Sequence, residues 1–180
     1  MIIERPSAFV TPEFLIRLAT ENWEIGGAAS LRHRTFVMEQ AIFANHDRDA
    51  IDRKALPLVA VSTIASEADE VVGTVRIHED TPGVWWGSRL AVAPDYRRVG
   101  RLGAELIRLA VGTAHARGCM TFLAHVQMQN VPLFEKLNWQ PQGEQNLHGH
   151  PHMLMQADLS AYPPVVDPAR GWMALTRSAA

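Results

Sequence analysis

From residue 100 to residue 117 the chain is apolar everywhere except along one narrow stripe, and this stretch limits the fold more than any other. Arg101, Glu105, Arg108, Gly112 and His115 recur at four and three residues and define the stripe. Leu102, Leu106, Ile107, Leu109, Ala110, Val111 and Ala114 fill the rest of the helical surface. An apolar face that wide needs a sheet to cover it. Arg117-Gly118 supplies a basic last turn and a C-cap glycine. Runs of β type flank the helix at residues 84–93, ended by Pro94, and at residues 120–126. The order strand, helix, strand predicts that these two strands run parallel.

The remaining segments predict antiparallel neighbours for that unit. Residues 13–20 read as a first strand, and residues 28–40 carry Leu31, Thr35, Phe36 and Met38 at helical spacing. Residues 45–54, with Asp47, Asp49 and Asp52, read as a surface loop or short helix. Residues 56–64 and 70–79 read as a hairpin turning at residues 66–69, and Thr81-Pro82-Gly83 leads into the run at 84–93. A short helix over 132–137 opens on proline, and strands follow over 139–145 and 151–159. Residues 1–162 are thus expected to form one α+β domain. Residues 163–180 hold Pro, Gly and Ser without a period, and a peripheral tail is expected there.

Composition narrows the partners. A net charge of −2 offers no bulk attraction to nucleic acid or to an anionic membrane surface. No apolar run approaches the ~20 residues of a membrane span, and no secretory pattern opens the sequence. The single cysteine, Cys119, excludes an intramolecular disulfide and lies in an apolar run, as a core residue of a cytoplasmic protein would.

Residues 88–107 carry the chemistry. A strand delivers the chain to a turn holding Arg97, Arg98, Gly100, Arg101 and Gly103, and the long helix departs from it. N–H groups at a helix N-terminus point one way, and the helix dipole adds about half a positive charge there. Glycines let that backbone approach a ligand closely, and the arginines add charge around the same point. A diphosphate fits such a turn.

Leu90-Ala91-Val92 followed by Tyr96-Arg97-Arg98-Val99-Gly100-Arg101-Leu102-Gly103 resembles the acetyl-CoA signature of the GNAT superfamily of N-acetyltransferases. That loop reads Arg/Gln-x-x-Gly-x-Gly/Ala. Arg97 and Gly100 match its first two fixed positions, and the second glycine falls one residue late, at Gly103. The likeness continues through residues 31–40, 72–76 and 131–139. More narrowly, residues 47–52, 83–90 and 114–119 resemble a bacterial GNAT subfamily associated with nitrogen starvation.

The resemblance implies the GNAT fold: a mixed, mostly antiparallel central sheet, splayed in the middle, with helices on both faces. It implies acetyl-CoA or another acyl-CoA as co-substrate, no metal, and the amine of a small metabolite as acceptor; it leaves a homodimer open. The backbone of Leu90, Ala91 and Val92 would pair with the pantetheine amides, and the Val92 N–H would polarise the acyl carbonyl. Arg97, Arg98, Val99, Gly100, Arg101, Leu102 and Gly103 would surround the pyrophosphate, with Asn130 and Phe134 beside the cofactor.

Many GNAT enzymes protonate the leaving thiolate with a tyrosine in a Leu-Tyr-Glu-Lys-Leu-Gly-Phe run. Residues 133–139 match that run with Phe134 at the tyrosine position, so the hydroxyl is missing. An acyl-CoA sensor without turnover is therefore an alternative to an enzyme. His125 and Glu79 are the catalytic candidates, with His78 and Tyr96 behind them. His125 suits a base near neutrality, or is a core histidine. Glu79 ends a strand near the expected substrate mouth, or is simply solvated there.

Arg76 and Arg89 lie mid-strand in apolar settings, where an unpaired guanidinium would be costly. Asp47, Asp49 or Asp52 supplies the partner, or a substrate carboxylate does. Trp86 and His152 are expected to border the acceptor. Arg32, Phe36, Asp49, Asp52, Arg76 and Arg89 also resemble the pattern of acyl-homoserine-lactone synthases, GNAT-fold relatives that use S-adenosylmethionine. Those enzymes carry an acidic residue where Trp86 stands. His148, His150 and His152 alternate, but Pro151 interrupts and no metal is expected.

Overall fold

The computed structural model describes residues 13–99 and 101–175. Eight strands form one sheet: β1 (Glu13–Leu18), β2 (Leu56–Ile64), β3 (Glu67–Thr81), β4 (Val84–Val92), β5 (Thr121–Gln127), β6 (Trp139–Leu147), β7 (His150–Ala157) and β8 (Trp172–Leu175). Their order across the sheet is β6-β7-β5-β4-β3-β2-β1-β8. Every pair is antiparallel except β4 with β5, which are parallel as the strand–helix–strand order requires.

Helices α1 (Asn22–His33) and α2 (Leu102–Ala116) cover opposite faces, and α3 (Val131–Lys136) precedes β6. On the α2 face Leu106, Leu109, Val111 and Ala114 pack against Phe14, Ile16, Leu58, Ile77 and Phe122. On the α1 face Ala28, Leu31 and Phe36 pack against Val59, Val61 and Val71. This is the α+β architecture expected of the chain.

Several boundaries differ from expectation. The first helix begins at Asn22 rather than 28, because Glu21 and Glu24 close a capping box there; beyond Arg34 it loosens into a π-helical turn. The β2–β3 turn sits at Ala65-Ser66, both at positive φ (51° and 67°), which matches the right-handed twist of a two-residue hairpin.

Residues 163–175 do not hang free. They lie along the stripe of α2 that holds Glu105, Arg108, Gly112 and His115. Gly112 accepts a hydrogen bond from the Val165 N–H, and a Cβ built on Gly112 would stand 2.6 Å from Val165 Cγ2. Trp172 donates to Glu105 Oε2 at 2.8 Å and lies under the Arg108 guanidinium, while His115 Nδ1 meets the Tyr162 carbonyl at 2.6 Å. Residues 172–175 then pair with β1 as β8.

Candidate functional site

The sheet opens in its middle. β4 and β5 pair from Val84–Thr121 to Gly87–Ala124, and beyond that both strands continue, to Val92 and Gln127, without pairing. A bulge starts the divergence: Arg89 and Leu90 together oppose Val75 of β3, and Arg89 takes a φ of 57°. The Ala93 N–H donates to Val72 on the β3 side at 2.8 Å. By strand alternation the Val92 N–H therefore points into the gap.

Helix α2 starts at the end of this gap. Its N-cap, Arg101, is left-handed (φ 53°) and makes no side-chain cap, so the first N–H groups, at Leu102, Gly103 and Ala104, have no partner within the helix. Nothing lies within 4 Å of a Cβ built on Gly103. The glycine therefore leaves space rather than relieving a clash.

A cleft of about 870 Å³ runs along these groups. It is lined by Leu90, Ala91, Val92, Arg97, Arg101, Gly103, Asn130 and Phe134 among the residues anticipated from sequence. Arg98 and Val99 do not line it, Leu102 is buried in the α2 core, and Gly100 lies outside the described residues. Thr35, Glu39, Gln40, Gln127 and Met128 also line the cleft without having been anticipated. Arg97 ties its rim: its Nε donates to the Val92 carbonyl at 2.9 Å, and both Nη atoms hold Glu39 at 2.7 Å. Gln127 donates to Gln40 Oε1 at 2.9 Å. Only the fold juxtaposes these residues, since Glu39 and Gln40 lie far from Arg97 and Gln127 in sequence.

A second cavity, of about 590 Å³, adjoins the cleft and shares Ile42, Leu90, Gln127, Asn130 and Phe134 with it. On the α1 face it meets an ion network of three arginines and three aspartates. Arg32 holds Asp47 at 2.6 Å and Asp52 at 2.7 Å; Arg76 holds both oxygens of Asp49 at 2.7 Å, Asp52 at 2.8 Å and Ser88 Oγ at 2.9 Å. Arg89 reaches Asp47 at 3.2 Å and Asp49 at 3.3 Å, and lies over the Phe43 ring, which also meets His148 edge-on.

The Arg76 guanidinium holds the Asp49 carboxyl below its ordinary pKa. Burial alone would raise Asp52, but hydrogen bonds from Arg32, the Asp49 N–H and Arg76 outweigh it and hold the group well below the carboxylate range. Arg76 is 3% exposed and fully paired as a wall of the cavity.

His125 lines this cavity, stacks on Trp86 with ring centroids 5.0 Å apart, and meets Gln145 Oε1 at 2.9 Å through Nε2. Burial lowers its pKa, against the Gln145 bond. His152 also lines the cavity, with Nδ1 2.9 Å from the His150 carbonyl. His78 is buried, lines the same cavity, and leaves Nδ1 without a partner; burial lowers its pKa, and the Lys54 and Arg76 charges add to that.

Glu79 is not part of this group. It is exposed, accepts the Gly83 N–H at 2.8 Å across the β3–β4 turn, and lines neither cavity. Tyr96 lies under the loop instead, donating to Glu70 at 3.3 Å and meeting Phe14 edge-on. Among the described residues no cluster of three or more His, Cys, Asp or Glu is arranged to hold a metal, and no helix is long and apolar enough to cross a membrane.

Residues 17–139 match the family model described as "Acetyltransferase (GNAT) family". No curated protein sequence matches the chain. Among solved structures, a Lactobacillus plantarum protein assigned to the N-acetyltransferases superposes with a TM-score of 0.71 at 22% identity, over 81% of this chain and 98% of that one. The CoA-dependent acyl-homoserine lactone synthase BjaI, with SAM and isopentyl-CoA, superposes at 0.66 with 18% identity, over 81% and 83%. The aminoglycoside 6'-N-acetyltransferase of Enterococcus faecium superposes at 0.62 with 15% identity, over 81% and 97%.

Proposed function

The chain belongs to the acetyltransferase (GNAT) family, and on that premise we propose that it transfers an acyl group from coenzyme A to the amine of a small metabolite. The observation that carries this reading is the gap between β4 and β5, with the uncapped N-terminus of α2 at one end and the histidine-lined cavity at the other. Pyrophosphate sits on the N–H groups of Gly103 and Ala104, where the helix dipole favours an anion. Pantetheine lies along Leu90–Val92 as an added strand. The Val92 N–H takes the developing oxyanion of the thioester.

The acceptor amine enters from the α1 face, beside Trp86, His125 and His152. Gln145 fixes the His125 tautomer, so Nδ1 is the basic nitrogen that receives the amine proton. Arg76 is the rigid wall of this side, and Arg89, on the bulge, lines the cavity beside it. Phe134 has no hydroxyl, so the thiolate leaves as the anion and takes its proton from water. A thiol of pKa about 8.5 tolerates that.

Residues 47–52, 83–90 and 114–119 support the nitrogen-starvation-associated subfamily and a cytoplasmic role in nitrogen metabolism. Residues 1–162 supply the site, and the chain works alone or as a homodimer. A second reading, a lactone-synthase-like reaction, draws support from the network joining Arg32, Arg76 and Arg89 to Asp47, Asp49 and Asp52; absence of S-adenosylmethionine binding removes it. The main reading is tested by thiol release from acetyl-, butyryl-, hexanoyl- and octanoyl-CoA over a panel of amines. Multiple turnovers on any amine, lowered tenfold or more in His125→Gln, are expected. CoA binding without turnover on any amine overturns catalysis in favour of a sensor.

A further inference from the structure

The cavity beside the cofactor cleft is not confined to one face of the sheet. Paired residues of neighbouring strands point to the same side, which places Arg76, His78, Trp86, Ser88 and His125 on the α1 face. Yet the same cavity is also lined by Ile107 and Ala110 of α2, Phe122 and Val126 of β5, Phe134 of α3 and Trp139 of β6, all of them buried members of the α2-face core. The cavity therefore passes through the sheet.

The passage lies where β4 and β5 stop pairing. Their last pair is Gly87–Ala124, and both residues line the cavity. A Cβ on Gly87 would stand 3.1 Å from the Phe122 ring, so a larger residue there would narrow the opening. The inner end is aromatic: Trp139 meets Phe134 and Phe122 edge-on, with centroids 5.0 and 5.7 Å away. Among the side chains named for this end the one polar atom, Trp139 Nε1, is already bonded to the Tyr162 hydroxyl at 3.0 Å. The side chains of the inner end thus offer an incoming group no hydrogen bond, and a cavity walled by such side chains stays dry.

An amine acceptor is polar or cationic and has no partner in such a chamber. The acyl end of a thioester lying along Leu90–Val92 arrives at its mouth, because Leu90 and Phe134 line the cleft and the cavity alike. The cavity as a whole, about 590 Å³, is far larger than a methyl group. We propose that the acyl group carried by this protein is a medium-length aliphatic chain, threaded through the Gly87–Ala124 opening into the chamber between β5, α2 and α3, and that acetyl is a poor fit. This rests on the acyl-CoA reading above and specifies its donor.

The test is titration of CoA, acetyl-CoA, butyryl-CoA, hexanoyl-CoA and octanoyl-CoA into the wild type and Ala110→Phe. Each buried methylene contributes about fourfold in affinity, so hexanoyl-CoA is expected to bind tenfold or more tighter than acetyl-CoA. Ala110→Phe fills the chamber and is expected to remove that advantage while binding CoA as the wild type does. Acetyl-CoA binding within threefold of hexanoyl-CoA, or an unchanged advantage in Ala110→Phe, overturns the proposal and leaves the acyltransferase reading intact. Failure of every thioester and of CoA overturns both. Should Ala110→Phe not fold, the wild-type series alone decides.

Discussion

Asp47→Asn tests whether the arginine–aspartate network holds this face together. Asp47 is 4% exposed; its Oδ2 accepts from Arg32 at 2.6 Å and forms an ion pair with Arg89 at 3.2 Å. Asparagine keeps one neutral acceptor and removes the charge, leaving three guanidinium groups against two carboxylates. Breaking a buried ion pair costs about 3–5 kcal/mol. Here the loss is partly made good, because Asp52 stays on Arg32, Asp49 stays near Arg89, and the Asp47 carbonyl still accepts from Arg89 at 3.1 Å. The expected cost is therefore about 2–3 kcal/mol, or a fall in Tm of roughly 5–10 °C for a chain of this size. Urea unfolding with an unchanged m-value measures it. A loss below about 0.5 kcal/mol would refute the reasoning and give the network the small worth of solvated surface pairs.

Other outcomes follow from single contacts. Gly103→Glu places a carboxylate in open space at the N-terminus of α2, so CoA affinity is expected to fall at least tenfold in titration while Tm moves by no more than a few degrees. Burial lowers the pKa of both His78 and His125, so each binds fewer protons folded than unfolded. Unfolding free energy should then be level above roughly pH 6.5 and decline as pH falls below it, with a shallower decline in His78→Asn; a rise toward pH 5 contradicts this. Gly112→Ala forces a Cβ against Val165 and the Pro163 carbonyl, 2.6 and 2.9 Å away, and should destabilise by about 1–3 kcal/mol in chemical denaturation.

What could be read from the sequence was whatever repeats or clusters locally. The apolar surface of α2 and the strands on either side of it announce themselves by period, and the loop by its arginines and glycines. The Arg76–Asp49 pairing was foreseeable only as one alternative, because it joins residues 27 positions apart. Residues 159–175 strap α2 through single contacts at Glu105, Gly112 and His115, which leave no period behind, so a tail was expected instead. Glu79 illustrates the opposite failure: a strand-end carboxylate looks the same in sequence whether it faces a substrate or caps its own turn. The chamber behind Gly87 and Ala124 needed three dimensions, since its walls come from four elements that are each ordinary core in sequence.

The account rests on coenzyme A occupying the gap between β4 and β5. Titration of CoA into ¹⁵N-labelled protein, followed by backbone amide resonances, tests this most directly. Saturable shifts centred on Leu90, Ala91, Val92, Gly103 and Ala104 are predicted. No shifts at millimolar CoA, or shifts confined to other parts of the sheet, would contradict it.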